Sequence, residues 1–293
     1  MANLTEAVKK NKPYDLIVID GLNMCFKYDH SLSYLNSTKG IKTGMFHGFF
    51  QMLLDLRIRN INARIVVAWE GGSLVRKQAI ADYKDNRKKS SDSFNERCRK
   101  LKDMFGMMGV EQKYAPGYEA DDVAATLCKG NNYKKLLITE DRDWYQIMDK
   151  LTTIRHHNRE MSYEQIESKQ GFPPERYDIY QILKGKVGNN VVGIPYFPTE
   201  LAKHIVRSCK YLGDIYKCRS ENEKDKMWLD ILKERRDDLS KRYNILRLKS
   251  DVDMEDSLCQ RKNLSNLKRE LVELQMFKVL KTLKRIHRLR KSQ

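Results

Sequence analysis

Three short apolar runs limit the possible folds of this chain more than any other feature. YDLIVID (14–20), RIVVAW (64–69) and KLLIT (135–139) are rich in apolar or β-branched residues and have the length of buried strands. A fourth such run covers 151–155. Stretches with helical spacing lie between them, such as 46–58 and 119–129. This alternation predicts an α/β fold: a mainly parallel central sheet flanked by helices. The strand signal fades after residue 170, where GFPPERYDIYQILKG (171–185) reads as a turn and then a helix with prolines at its start. The expected division is an α/β domain at 1–170 and a helical C-terminal part at 171–293, a size that 293 residues allow.

Two segments of this plan carry charge. DYKDNRKKSSDSFNERCRKLK (82–102) is polar and basic without apolar periodicity, so a protruding basic arch is expected over 82–104. In the tail, Val272, Met276, Val279, Leu283 and Ile286 repeat at 4-3-4-3 and predict one apolar helical seam. Residues 276–293 also hold seven Lys or Arg and no acid. Over the whole chain, 56 Lys and Arg against 39 acids give a net charge of +17. That excess favours a polyanionic partner, most often nucleic acid.

The same inventory sets several classes aside. The cysteines at 25, 98, 128, 209, 218 and 259 form no Cys-x-x-Cys pair, and dispersed free thiols suit a reducing, cytoplasm-like compartment. No spacing marks the six histidines, among them the adjacent His156 and His157, as metal ligands. MANLTEAVKKNKPYD (1–15) has no apolar stretch of the signal-peptide kind, and no run has the length of a membrane span.

The chemistry is expected where the strands end, because ligands of parallel α/β sheets gather at the carboxyl edge. Asp20 closes the first run and Glu70 follows the second. Glu119, Asp121 and Asp122 open a helix in GYEADDVAAT, and Asp141 and Asp143 follow the third run in LLITEDRDW. Each acid has a plainer explanation as a turn or helix-cap residue. Seven carboxylates converging on one edge would repel one another unless cations neutralise them. Mg²⁺ or Mn²⁺ prefers such oxygen ligands and serves phosphodiester hydrolysis.

Five pieces in order make the reading specific: IDGLN (19–23), DYKDNR (82–87), GYEADDVAAT (117–126), LLITEDRDWYQI (136–147) and GFPPERYDIYQILKGKVGNNVVGIP (171–195). Together they resemble the 5′-nuclease family, which includes the 5′→3′ exonuclease domain of bacterial DNA polymerase I, phage 5′-exonucleases and flap endonucleases. The resemblance implies a PIN-like nuclease fold and metal-dependent hydrolysis at or near 5′ ends of DNA, at flaps or branched structures. It implies a bacterial or phage-infected cytoplasm as the setting. By the same resemblance, Asp20, Glu70, Glu119, Asp121 and Asp122 form a first metal cluster, with Glu70 where Asp is usual. Asp141 and Asp143 form part of a second cluster. Tyr83, Lys84 and Arg87, with Arg76 as a further candidate, match the groups set on the scissile phosphate.

The departures are as specific. The family's G-D-x-x-D-N, whose two Asp serve the second metal, reads Gly185-Lys186-Val187-Gly188-Asn189-Asn190 here. A protonated Lys cannot ligate a metal, so the second ion is expected to bind weakly or not at all. Lys186 either lies against Asp141 or Asp143 or points into water. The family's helix–hairpin–helix glycines reduce to Gly193 in GIPYFPTELA (193–202), and Pro198 lacks an N–H. Its phosphate grip is expected to be weakened, with the basic tail compensating. The leading expectation is a 5′-nuclease with one well-bound ion. The alternatives are a nucleic-acid-binding relative with little catalysis, or a ribonuclease on the same fold.

Overall fold

The computed structural model describes residues 14–130, 132–256 and 262–291. The chain opens with β1 (Leu16–Asp20), α1 (Gly21–Ser31), α2 (Gly44–Arg59), β2 (Arg64–Ala68), α3 (Leu74–Ala79) and α4 (Asp92–Met108). There follow β3 (Glu111–Tyr114), α5 (Ala120–Cys128), β4 (Lys135–Ile138), β5 (Thr152–His156), β6 (Arg159–Ser162) and α6 (Tyr163–Gln170). The remainder is α7 (Tyr177–Lys184), β7 (Gly185–Lys186), β8 (Val191–Val192), α8 (Thr199–Ser208), α9 (Glu223–Glu234), α10 (Arg236–Leu246), β9 (Glu255–Asp256), α11 (Leu264–Glu273) and α12 (Phe277–Lys291).

The main sheet has the order β6-β5-β4-β1-β2-β3-β9. Strands β1 to β5 pair in parallel, and β6 and β9 close the two edges antiparallel. The four strands read from apolar runs are all present. The first, second and third lie at the centre and are buried on both faces, as continuous apolar composition requires. Ile17, Ile19, Ile65 and Val67 face one helical layer, and Leu16, Val18, Val66 and Ala68 face the other. The order in which parallel strands are added reverses between β1 and β4, which sets the carboxyl ends of these two strands at the crevice where such sheets bind ligands. β3 (EQKY) and the two-residue β9 lack an apolar run, so pattern reading missed them.

Three expectations need correction. The basic arch does not extend over 82–104. Residues 92–108 are α4, which Ser91 caps and which buries Phe94, Cys98, Leu101, Met104 and Phe105 in the main core. Its apolar face was hidden among charged residues. The C-terminal part is also not one body. Residues from Phe172 to Leu246 build their own core with Ile80 and Tyr83. By contrast Leu267, Leu271, Leu274, Met276 and Val279 return to the main core against α2 and α4. Finally, the tail seam is broken. Gln275 has φ +56° between α11 and α12, and Val272 turns outward at 50% exposure. Cys259 lies outside the described residues.

One buried ion pair ties these units together. Arg76 of α3 donates to both oxygens of Asp122 on α5, at 2.5 and 2.7 Å, and its Nε donates to the Ile245 carbonyl of α10 at 2.9 Å. Removing the guanidinium leaves a buried charge, so Arg76→Leu should lower stability by about 3–5 kcal/mol in chemical denaturation. A loss within experimental error would show that the pair is not what joins the units. The broken seam makes a second test. Leu271→Ala should cost about 2–5 kcal/mol, while Val272→Ala should stay within about 0.5 kcal/mol. Equal losses would contradict the packing of α11.

Candidate active site

The acids gather as the strand ends dictate. Parallel register sets Asp20 beside Ala68 and Ile19 beside Ile138, so Glu70 and Thr139 stand just beyond on either side. Asp20 accepts from the Asn23 N–H at 3.1 Å and from the Thr139 hydroxyl at 2.9 Å. Asp20 is thus the cap of α1 and also stands at the edge where the acids gather. Gly21 is required here, because a Cβ would meet the Trp69 ring at 2.5 Å. Glu119 caps α5 and Asp141 caps the 3-10 turn at Arg142–Ile147. The positive ends of these elements point into the carboxylate cluster.

The other predicted residues divide by what they touch. Asp121 is buried and accepts from the Trp144 indole at 2.7 Å. Asp143 is buried and accepts from Gln181 at 2.7 Å, and Asp141 accepts from the Asp143 N–H at 2.9 Å. Asp121, Asp141 and Asp143 offer ligand oxygens within 4.8 Å of one another. Glu119 is buried, with Lys84 Nζ at 2.6 Å. Glu70 is solvent-facing and accepts from the Ala120 N–H at 3.4 Å.

Asp122 does not join the cluster. Arg76 holds both its oxygens, and the Lys249 N–H donates to it at 2.8 Å. Arg76 is correspondingly turned inward and is not presented to a phosphate. Tyr83, 1% exposed, donates to Glu119 at 3.4 Å and accepts from Asn189 at 3.1 Å, so it supports Glu119 from within the core. Arg87 reaches across to the altered loop, donating to the Gly188 carbonyl at 2.9 Å and to Asn189 Oδ1 at 2.7 Å. Lys84 adopts φ +61°, a sparsely populated conformation for a residue with a side chain, and lies beside the acids.

Lys186 faces the acids and not water. Its Nζ contacts Asp143 Oδ2 and lies 3.5 Å from Asp141 Oδ1. Although burial opposes charge, Asp143 and Asp141 hold the Lys186 pKa above its ordinary value. Burial works to raise Asp141, but Lys186, the Asp143 N–H and Lys84 together outweigh it and the carboxyl is held below its usual range. Asp20 has no such partner, and burial followed by Glu70 pushes its carboxyl up to about 7. Burial, then Asp141 and Asp143, push Asp121 well above the usual range. Three acids are therefore each locked to a cation: Asp122 to Arg76, Glu119 to Lys84 and Asp143 to Lys186. Asp20, Glu70 and Asp121 have no ion pair among the described residues, and a divalent cation fits that unbalanced group.

An open cleft of about 430 Å³ runs beside the cluster, lined by Asp141, Asp143, Lys186, Arg142, Tyr177 and Tyr180 among others. Thr139, Trp144 and Gln181 lie within the motifs read from the sequence but were given no role there, because each acts only through its position beside a distant acid. The fold brings the two adjacent histidines to an acid: His156 is buried and His157 exposed. Glu140, His156 and His157 bring ligand atoms within 4.8 Å. Lys27 at 2.6 Å and the His157 N–H at 2.8 Å already engage the Glu140 carboxylate, so the group ties α1 to the β5–β6 turn. Cys209 and Cys218, nine apart in sequence, bring their sulfurs to 3.7 Å.

The sequence and the fold have counterparts. The chain is 28% identical over 283 residues to a 5′-3′ exonuclease of Aquifex aeolicus, a match covering 93% of this chain and 96% of the relative. It is 28% identical over 210 residues to DNA polymerase I of Deinococcus radiodurans, covering 70% of this chain but 22% of the polymerase. The fold matches T5 5′-exonuclease with bound zinc at a TM-score of 0.64 and 18% identity, covering 88% of this chain and 98% of that one. It matches human GEN1 in complex with Holliday junction DNA at a TM-score of 0.60 and 16% identity, covering 89% and 68%. The family model for the 5′-3′ exonuclease N-terminal resolvase-like domain matches residues 15–171, and the chain belongs to that family.

Proposed function

We propose that this chain is a divalent-metal-dependent 5′-nuclease that hydrolyses phosphodiesters at or near 5′ ends of DNA. The observation that carries this reading is the unbalanced carboxylate group at the sheet's switch point, set in a chain of net charge +17. Asp20, Glu70 and Asp121 would hold one Mg²⁺ or Mn²⁺, with Glu119 beside them held by Lys84. An ion bound there supplies positive charge to the scissile phosphate and acidifies an attacking water.

The chain's own residues do the rest. Trp144 and Thr139 fix the orientation of Asp121 and Asp20. Lys84 places an ammonium at the edge of the cluster, where charge builds on the phosphate. Tyr83 and the Arg76–Asp122 pair hold Glu119 from behind. Exposed Lys278, Lys281, Lys284 and Arg285 on α12 offer phosphate contacts that need no base recognition. No helix among the described residues is long and apolar enough to cross a membrane. The free thiols suit the cytoplasm of a bacterial or phage-infected cell.

Incubating the protein with a 5′-labelled flap and Mg²⁺ or Mn²⁺ tests the reading. Short labelled products should appear with metal and vanish with a chelator. Binding without cleavage under all metal conditions would favour a DNA-binding relative that has lost catalysis. Asp20→Ala and Asp121→Ala should each abolish cleavage and leave DNA affinity largely intact. Wild-type rates in both would refute the site. Lys84→Ala should slow cleavage by about 10²-fold with the ion still bound. For the tail, changing Lys281, Lys284 and Arg285 together to Gln leaves its packed face untouched. The salt dependence of DNA binding should then flatten by about 0.9 in slope for each phosphate no longer neutralised. An unchanged slope would place the DNA elsewhere.

A further inference from the structure

Asp121, Asp141 and Asp143 converge closely enough for one cation to serve all three, with ligand atoms within 4.8 Å. Lys186 is the cation found there. Its ammonium contacts Asp143 Oδ2 and approaches Asp141 Oδ1 to 3.5 Å, while its side chain keeps 16% exposure. Gln181 occupies the other Asp143 oxygen at 2.7 Å, which leaves Asp143 facing the lysine.

The loop that delivers Lys186 is itself held. Arg87 donates to Gly188 and Asn189, Asn86 donates to the Val187 carbonyl at 2.9 Å, and Asn190 Nδ2 donates to Asp82 Oδ2 at 2.6 Å. The Lys84 N–H donates to the Asn189 carbonyl at 3.3 Å. Asn189, the other altered position, also donates to Tyr83. The 82–87 turn and the 185–190 hairpin are therefore one hydrogen-bonded unit. It holds Lys84 against Glu119 and Lys186 against Asp143 at a set separation.

We propose that the Lys186 ammonium is a permanent, built-in cation at the second-ion position, so that this nuclease works with one exchangeable divalent ion and one fixed charge. The proposal rests on the nuclease reading for its mechanism but not for its ion count. A lysine brings one positive charge where a metal brings two, and it neither dissociates nor needs free metal. Asn189 completes the change: in place of an acid it supplies an amide that locks the hairpin to Tyr83 and Arg87. Lys186 acts as a positioning and charge-balancing residue, and its loss reopens Asp141 and Asp143, beside Asp121, to a metal.

Counting Mn²⁺ by titration, with the free ion read by electron paramagnetic resonance, tests this without any substrate. The wild-type protein should bind one ion in the site and Lys186→Ala two. Lys186→Ala combined with Asp141→Asn should fall back towards one, and Lys186→Arg should keep one. Should the alanine variant fail to fold, Lys186→Met removes the charge, keeps the apolar stem and carries the same expectation. In cleavage assays the wild-type rate should rise with the first power of free Mn²⁺. Lys186→Ala should be slower by about 10²-fold at limiting metal and recover as a second ion fills. Two ions in the wild-type protein, or one in the uncharged Lys186 variants, would overturn the proposal. A count of one rising to two without cleavage in any variant would sustain the cation assignment and sink the nuclease reading instead.

Discussion

Carboxylates packed at the edge of a buried sheet are tolerated only where each finds positive charge, and the architecture of this protein follows from that requirement. A lone ionised acid in such surroundings carries a desolvation penalty of several kcal/mol. The chain meets it in three ways. Helix N-termini face the acids, since Asp20, Glu119 and Asp141 each cap the element that follows. Fixed cations take Asp122, Glu119 and Asp143. What remains, at Asp20, Glu70 and Asp121, is negative charge without a fixed cation among the described residues, where the proposed metal would sit.

The fixed cations also explain how the pieces of the fold are joined. Arg76 links α3 to α5 and α10, so the helical unit after residue 172 is anchored through the same acid-bearing helix that opens the site. Lys84 and Lys186 come from the turn and hairpin that bridge the two cores, with Tyr83 packed in the second core and bonded to Glu119 at the edge of the main sheet. Stability and site geometry therefore share residues, and variants at Arg76 or Tyr83 will affect both.

Much of this was legible in the sequence. The central strands were plain, because a strand buried on both faces must be continuously apolar. The acids at their ends were plain for the complementary reason that polarity there has no packing use. Lys186 was readable as a departure from a motif, though its direction was not: a lysine's long stem reaches acid or water equally well until the backbone places it. The helix over 92–108 escaped because its buried stripe of Phe94, Cys98, Leu101 and Phe105 is interleaved with seven charged residues. Arg76, Tyr83 and Asp122 were assigned outward roles because composition marks a charged or hydroxyl group without saying which way it faces. Their partners, among them a carbonyl 169 positions away, are set only by tertiary structure.

The central claim is that metal and lysine divide the neutralisation of one acidic cluster. Anomalous scattering from a crystal grown with Mn²⁺ measures that division directly. The account predicts one strong peak among Asp20, Glu70 and Asp121, and between Asp141 and Asp143 only the density of the Lys186 ammonium. A second strong peak there, with Lys186 displaced into solvent, would contradict it.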